Sequence, residues 1–227
     1  MSQIKNLVFC KYEIKKMNLI GSSLSCKRDG KLIFSDLSFK IKSGDVCFIK
    51  GPNGSGKSTL LRLLAGFIKV WTGKISLNNE DITNRNDIIY NNFFYIGHSN
   101  SLKNYLTVKQ QIDFWEGISE KKYNFEADSF NLKRILYRRI YECSEGQKRR
   151  VGLSRLSIDN KKVLLLDEPT TSLDIENVSR LKNYLKDHQK KGGIAIVASH
   201  EAFISSNNQD IILTLNPPKN RERDPFI

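Results

Sequence analysis

The chain has 227 residues, 39% of them apolar, enough for one sizeable core or for one core with a small subdomain. Its longest apolar runs, such as Val163 to Leu166 and Ile194 to Ala198, fall far short of the roughly 20 residues that a membrane span needs, and the first residues lack the charged, apolar, small succession of a secretory signal. A formal net charge of +13 fits solubility alone, an anionic membrane surface or nucleic acid, but the interleaved aromatic and basic pattern that favours nucleic acid is missing.

Residues 1–16 read as an extension or as the product of a misplaced start codon, and order is expected from Met17. Between Ile33 and Ile41, apolar residues at 33, 37, 39 and 41 alternate with polar ones, the pattern of a half-buried strand. Val46 to Lys50 is a short buried strand that runs into a glycine-rich loop, and Lys57 to Gly66 reads as the following helix. Phe93 to Gly97 is another short strand. Residues from about 99 to 142 are expected to be helical, with Phe114, Trp115 and Leu136 in their core, as the insert of a helical subdomain spanning about 99–157. Val163 to Leu166 forms a buried strand that ends in Asp167 and Glu168. A helix over roughly 175–190, a strand from Ile194 to Ser199 ending at His200, and a last strand from Ile211 to Leu215 complete a domain over 17–215. The tail 216–227 is polar and bears prolines. Strands alternating with helices argue for an α/β layered domain.

Cys10, Cys26, Cys47 and Cys143 form no C-x-x-C pair, which points to reduced thiols without a zinc site and excludes covalent haem attachment by this chain.

The loop Gly51-Pro52-Asn53-Gly54-Ser55-Gly56-Lys57-Ser58-Thr59 matches G-x-x-x-x-G-K-[ST]. Glycines allow the tight turn that points backbone N–H groups at phosphate oxygens, and the helix beginning there adds its positive end. Lys57 supplies charge at the β and γ phosphates of ATP, the Ser58 hydroxyl is placed for Mg²⁺, and Thr59 lies near the α phosphate. A chance glycine-rich turn would lack the buried strand before it and the helix after it. Two acids at a strand end are weak evidence alone. Beside such a loop, Asp167 reads as a Mg²⁺ carboxylate and Glu168 as the residue that polarises the attacking water. His200 also ends an apolar strand, the edge at which α/β sheets bind ligands, so a γ-phosphate contact is expected of it.

Between these elements stands Cys143-Ser144-Glu145-Gly146-Gln147. With it, the chain over about 17–215 resembles the ATP-binding subunits of ABC transporters, whose signature reads L-S-G-G-Q. The order is the family's: phosphate loop, signature, Walker B acids Asp167 and Glu168, D-loop Ser172-Leu173-Asp174, switch histidine His200. The resemblance implies a P-loop NTPase fold with a small helical subdomain and an antiparallel β subdomain. It also implies a head-to-tail homodimer, in which ATP at one loop is capped by Ser144, Gly146 and Gln147 of the other copy, with Asp174 close by.

Three positions depart from the family pattern. His98, in Tyr95-Ile96-Gly97-His98, stands where most members carry glutamine, and its state would depend on pH. Glu145 stands in the signature where a γ-phosphate should approach; a capping box of Ser144 with Gln147 is the plainer reading of the same residues. No aromatic residue occupies the adenine-stacking place, where Arg28 can offer a planar guanidinium instead.

His98, with Lys103 and Leu106-Thr107, together with Ser144-x-Gly-Gln-x-Arg-Arg150-Val, resembles the branch of the family that serves haem export in cytochrome c maturation. That resemblance implies a peripheral ATPase at the cytoplasmic face of the inner membrane (the matrix side in an organelle). Its implied partners are an integral membrane subunit of CcmB type and a CcmC-like protein, with no nucleic acid. His188, in a polar helix, reads as exposed. Other readings are an ABC subunit for drugs or lipids, a non-membrane ABC protein of repair or translation, and a scaffold that has lost hydrolysis. The retention of Lys57, Asp167, Glu168 and His200 argues against the last.

Overall fold

The computed structural model describes residues 17–119, 121–159, 161–199 and 211–216. The expectations for residues 1–16, for His200 and for the tail beyond 216 therefore lie outside the described residues. In chain order the elements are β1 (Asn18–Arg28), β2 (Lys31–Lys42), β3 (Val46–Lys50), α1 (Lys57–Leu64), β4 (Thr72–Leu77), β5 (Glu80–Asp81), α2 (Asn86–Asn92), β6 (Phe93–Ile96), α3 (Val108–Ile118), α4 (Glu145–Asp159), β7 (Val163–Asp167), α5 (Ile175–Lys190), β8 (Ile194–Ala198) and β9 (Ile211–Thr214).

The strands form two sheets. One is antiparallel, in the order β2-β1-β4-β5; the other is parallel, in the order β6-β7-β8-β3-β9. Strands β3, β6, β7 and β8 are apolar at nearly every position because both of their faces are covered, whereas the edge strand β9 leaves Ile212 exposed. Successive side chains enter opposite layers. Cys47, Ile49, Val163, Leu165, Ile194 and Ile196 pack with α1 and the antiparallel sheet, whereas Phe48, Leu164, Leu166, Ala195 and Val197 pack with α3, α4 and α5.

The antiparallel sheet owes its shape to turns that the apolar pattern does not reveal. Asp29 and Gly30 both take positive φ (49° and 74°), the conformation of a tight two-residue hairpin turn, and Asn78 and Asn79 do the same between β4 and β5 (54° and 68°). Asp36, at φ 52°, breaks the alternation of β2. The buried residues before and after it have opposite parity, Phe34 and then Phe39 and Ile41, as expected when an irregularity shifts the phase by one residue. Ile33, expected on the buried face, is only partly buried.

The helical insert is less helical than its sequence suggests. Thr107 and Gln110 form a reciprocal capping box that starts α3. Beyond Ile118, the described chain up to α4 runs through turns and two short 3₁₀ segments, Lys133–Ile135 and Ile140–Glu142. Asn124 and Asp128 hold these turns with side chains that accept backbone N–H groups. Val108, Gln111, Ile112 and Trp115 line the buried stripe of α3. Phe114 falls off that stripe and is 42% exposed, so it does not share the core position of its neighbour Trp115. No helix among the described residues is long and apolar enough to cross a membrane.

Candidate functional site

Four parallel strands deliver their carboxyl ends to one edge. Lys50 of β3 leads into the glycine-rich loop, Ile96 of β6 into Gly97 and His98, Asp167 of β7 into Glu168, and Ala198 of β8 into Ser199. The registers align these ends, with Ile49 and Asp167 both opposite Ala198 and Ile96 opposite Leu166.

The loop is built around missing side chains. A Cβ at Gly51 would lie 2.4 Å from the Leu215 carbonyl oxygen and 2.5 Å from Ser55 Oγ. Gly56, at φ 100°, is the N-cap of α1 and offers its N-terminus no side-chain cap. The first N–H groups of α1 are thus left for an anion at its positive end. Ser55 is 1% exposed and its Oγ has no hydrogen-bond partner among the described residues. Lys57 is buried in the loop and donates from Nζ to the carbonyls of Gly51 (2.8 Å) and Pro52 (3.2 Å). Pro52, Asn53 and Gly54 stand at the exposed rim, with Ser58 and Thr59 half-buried on the helix.

Asp167 is buried and meets the loop directly: Ser58 Oγ donates to its Oδ1 at 3.0 Å. Two oxygens, a hydroxyl and a carboxylate, therefore converge beside the loop, a pair whose chemistry suits a hard cation. Glu168, the next residue, has φ 46°, a left-handed conformation that is rare for a bulky side chain and that clusters at functional sites. Its N–H donates to the Ala198 carbonyl at 2.8 Å, which ties the turn to β8.

Ser144 and Gln147 form the reciprocal capping box expected of them, at 3.1 and 3.2 Å. Glu145 is exposed and pairs with Lys148 at 2.9 Å. A Cβ at Gly146 would lie 2.5 Å from the carbonyl oxygen of Ser172, so the signature turn packs directly on the D-loop of its own chain. Asp174 caps α5, its Oδ1 accepting the Asn177 N–H at 2.8 Å, and that bond holds its carboxyl below the usual range. Among the described residues no hydrogen bond joins 144–147 to the loop 51–59. Arg28 ends β1 on the hairpin whose Ile33 and Phe34 crowd Gly56; its guanidinium lies 3.6 Å from Asp29.

His98 is exposed and lines a cavity of about 510 Å³ with Arg62, Tyr95, Asn100, Gly152 and Arg155. An adjoining cavity of about 360 Å³ shares Phe67, Tyr95 and Arg155 and adds Tyr90, Phe94 and Trp115. His188, expected to be exposed, is half-buried: its Nε2 lies 3.2 Å from the Lys162 carbonyl and 3.3 Å from that of Ile194. Only a protonated Nε2 can donate to a carbonyl.

Two residues at this edge escape a reading of motifs. Tyr95 donates from its hydroxyl to Asp167 Oδ2 at 3.2 Å, and Arg149, 3% exposed, reaches the backbone on both sides of the site. The alternation of β6 already separates Tyr95 from its neighbours Phe94 and Ile96. Nothing local distinguishes Arg149 from Lys148 and Arg150.

A family model described as "ABC transporter" matches residues 34–171. Curated relatives named cytochrome c biogenesis ATP-binding export protein CcmA are similar over most of the chain. The protein of Wolbachia pipientis is 37% identical over 182 residues, covering 79% of this chain and 88% of that protein. The protein of Aliivibrio fischeri is 36% identical over 191 residues, covering 82% and 93%. Among solved structures, a putative ABC transporter ATP-binding protein from Pyrococcus furiosus superposes with a TM-score of 0.72 at 23% identity, covering 87% of this chain and 97% of that one. An ATP-binding cassette solved in its ADP conformation gives a TM-score of 0.72 at 22% identity over 88% of this chain and 87% of its own.

Proposed function

The chain belongs to the ATP-binding family of ABC transporters, and from that premise we propose that it is the ATPase subunit of a membrane complex that exports or delivers haem for cytochrome c maturation. The haem assignment is supported by the names of relatives 31–37% identical and by His98 in place of the usual glutamine.

The observation that carries the ATPase reading is the convergence of Ser58 and Asp167 at 3.0 Å beside an uncapped helix N-terminus, with Glu168 next in sequence. The phosphates of ATP would lie against the N–H groups of 54–59, with Lys57 turned from the loop carbonyls toward them. Ser58 Oγ and the Asp167 carboxylate suit Mg²⁺, which takes few protein oxygens and completes its shell with water and phosphate. When bound, Mg²⁺ would neutralise charge on the β and γ oxygens. Glu168 takes the proton of the attacking water as the water oxygen bonds to the γ phosphorus and the bond to the bridging oxygen breaks, releasing ADP and phosphate. His98 and His200 orient the water and the γ-phosphate. Ser144, Gly146 and Gln147 of a second copy close the site, with Asp174 at the seam, and Arg28 flanks the adenine. The two cavities around Tyr95 face a membrane subunit of CcmB type, assisted by a CcmC-like protein, at the cytoplasmic side of the membrane.

Turnover and cargo are tested separately. Glu168→Gln is expected to keep nucleotide binding and to lose hydrolysis by about 10²–10⁴-fold; unchanged turnover removes Glu168 from the role of base. In the host cell, the same substitution is expected to abolish haem attachment to c-type cytochromes. Normal cytochromes c with a dead ATPase would assign the cargo to another branch of the family.

A further inference from the structure

The guanidinium of Arg149 makes six hydrogen bonds from the buried face of α4. Toward the end of β7 it donates to the carbonyls of Asp167 (3.0 Å), Glu168 (2.8 Å) and Pro169 (3.3 Å). Toward the segment after β6 it donates to the carbonyls of Gly97 (2.9 Å) and His98 (3.4 Å) and to Asn100 Oδ1 (3.0 Å). Burial pushes its pKa down, while Asp167 and Glu168 oppose that shift. An arginine has five N–H donors in a rigid fork, so one side chain here binds two backbone segments that share no hydrogen bond with each other through strand pairing beyond Ile96 and Leu166.

The acceptors matter more than their number. Glu168 and its neighbours form the left-handed turn at φ 46°, a conformation that persists only where surroundings over-determine it. Its N–H is held by β8 and its carbonyl by Arg149. The other half of the fork holds 97–100, the segment that carries His98 and lines the cavity of about 510 Å³. Gly152, one turn further along α4, leaves room for Asn100, to which a Cβ would approach within 3.1 Å.

We propose that Arg149 is a positioning residue for hydrolysis: it fixes the backbone from which the Glu168 side chain is aimed and makes that aim depend on where 97–100 stands. Displacement of 97–100 then reaches Glu168 through one guanidinium, without any change in the phosphate loop. The inference rests on the ATPase reading, in which Glu168 handles the attacking water.

The test is a double-mutant cycle on the full chain, measuring kcat per bound nucleotide and nucleotide Kd for wild type, Arg149→Gln, Glu168→Gln and the pair. Arg149→Gln is expected to lower kcat by at least tenfold while Kd changes less than threefold, and to cause no further loss in the Glu168→Gln background, since it acts through that side chain. Arg149→Lys is expected to restore little, because an ammonium cannot span both segments. Asn100→Ala removes one arm of the clamp and is expected to lower kcat about threefold, again without effect when Glu168 is glutamine. It decides the matter alone if Arg149→Gln does not fold. Wild-type kcat in the folded variants, an equal fractional loss in both backgrounds, or a loss that simply tracks the fraction of nucleotide-binding sites overturns the proposal. Equal turnover by wild type and Glu168→Gln instead removes Glu168 from the role of base, and with it the reading on which the proposal rests, whatever Arg149 does.

Discussion

The hydroxyl of Tyr95 donates to Asp167 Oδ2 at 3.2 Å while Ser58 Oγ donates to Oδ1 at 3.0 Å, so both oxygens of one buried carboxylate are held from opposite sides. Arg62 extends the chain by donating to the Tyr95 hydroxyl at 3.4 Å. Burial raises the Tyr95 pKa, with Arg62 pulling against it and Asp167 adding to it, so the phenol stays protonated and keeps donating at neutral pH.

Removing that hydroxyl leaves the Asp167 side chain one anchor. Tyr95→Phe deletes a hydrogen bond to a carboxylate, worth about 1.5–3 kcal/mol when the acceptor is charged, and at this chain length each kcal/mol corresponds to about 2–4 °C in Tm. The expected result is a Tm several degrees lower and a few-fold higher Mg²⁺ concentration for half-maximal ATPase activity, with the nucleotide Kd in the absence of the metal unchanged. An unchanged Mg²⁺ midpoint would mean that Ser58 suffices to orient the carboxylate.

Gly146 is fixed by a neighbour rather than by its own backbone. Its place in the signature leaves no space for a methyl group, since a Cβ would sit 2.5 Å from the backbone oxygen of Ser172. Ser172 stands at φ 65° in the turn before the Asp174 cap, so the obstacle is backbone rather than a flexible side chain. Gly146→Ala must push α4 from the D-loop, an overpacking cost of about 1–3 kcal/mol. A lower Tm is expected together with impaired ATP-driven dimerisation, measured by sedimentation with ATP in a Glu168→Gln background. Dimerisation at the wild-type level despite a lowered Tm would separate the D-loop contact from assembly.

His188 gives the fold a pH dependence of known sign. Burial is the main cause of its lowered pKa and Lys191 adds to it, while the carbonyls of Ile194 and Lys162 oppose. A folded-state pKa below the unfolded value of about 6.5 means that the unfolded chain binds more protons, so stability rises with pH. The contribution is fully present above pH of about 6.5 and is lost as pH falls below it toward the folded pKa. Gly193, where a Cβ would come within 2.1 Å of the imidazole, keeps the ring seated between β7 and β8. His188→Gln is expected to flatten the Tm-versus-pH curve between pH of about 7 and 5 relative to wild type; parallel curves would reassign the slope to other groups.

How far the sequence could be read follows from where each residue finds its partners. Val46–Lys50, Val163–Asp167 and Ile194–Ala198 are legible as strands because double burial leaves an unbroken apolar run, and α5 is legible because its cap, Asp174, precedes a regular stripe through Leu181 and Leu185. The antiparallel sheet is obscured by Asp36, which changes the parity of β2, although Asp29-Gly30 carries a strong hairpin signal. Phe114 and Trp115 are equally apolar, and only the phase of α3 decides which is buried. That residues 51–59 meet Asp167 at one strand edge is legible since each belongs to a local motif at a strand end. Arg149 is not, because all but one of its partners are backbone carbonyls, 18 to 52 residues away, which leave no mark in side-chain identity. His188 reads as exposed for a similar reason: the carbonyls that hold it belong to other segments, at Lys162 and Ile194.

Glu145 places a negative charge in the first turn of α4, where it helps that helix but, in the dimer proposed above, would face the approach of a second copy's nucleotide. Its carboxylate is drawn along the helix by Lys148 at 2.9 Å, yet the Glu145 side chain is 72% exposed. An ion pair so open to water holds by at most about 1 kcal/mol, so Lys148 restrains the carboxylate without removing its charge. Glu145→Gly is therefore expected to tighten ATP-driven dimerisation by several-fold, and Lys148→Ala to loosen it by freeing the carboxylate. Both effects should shrink as salt is raised from about 50 to 500 mM, since the charges are exposed. Dimerisation constants measured by sedimentation in the Glu168→Gln background decide this. Equal constants for wild type and Glu145→Gly would mean that the carboxylate turns wholly away from the closing interface, leaving the Ser144 cap and the first N–H groups of α4 as the only features a phosphate meets.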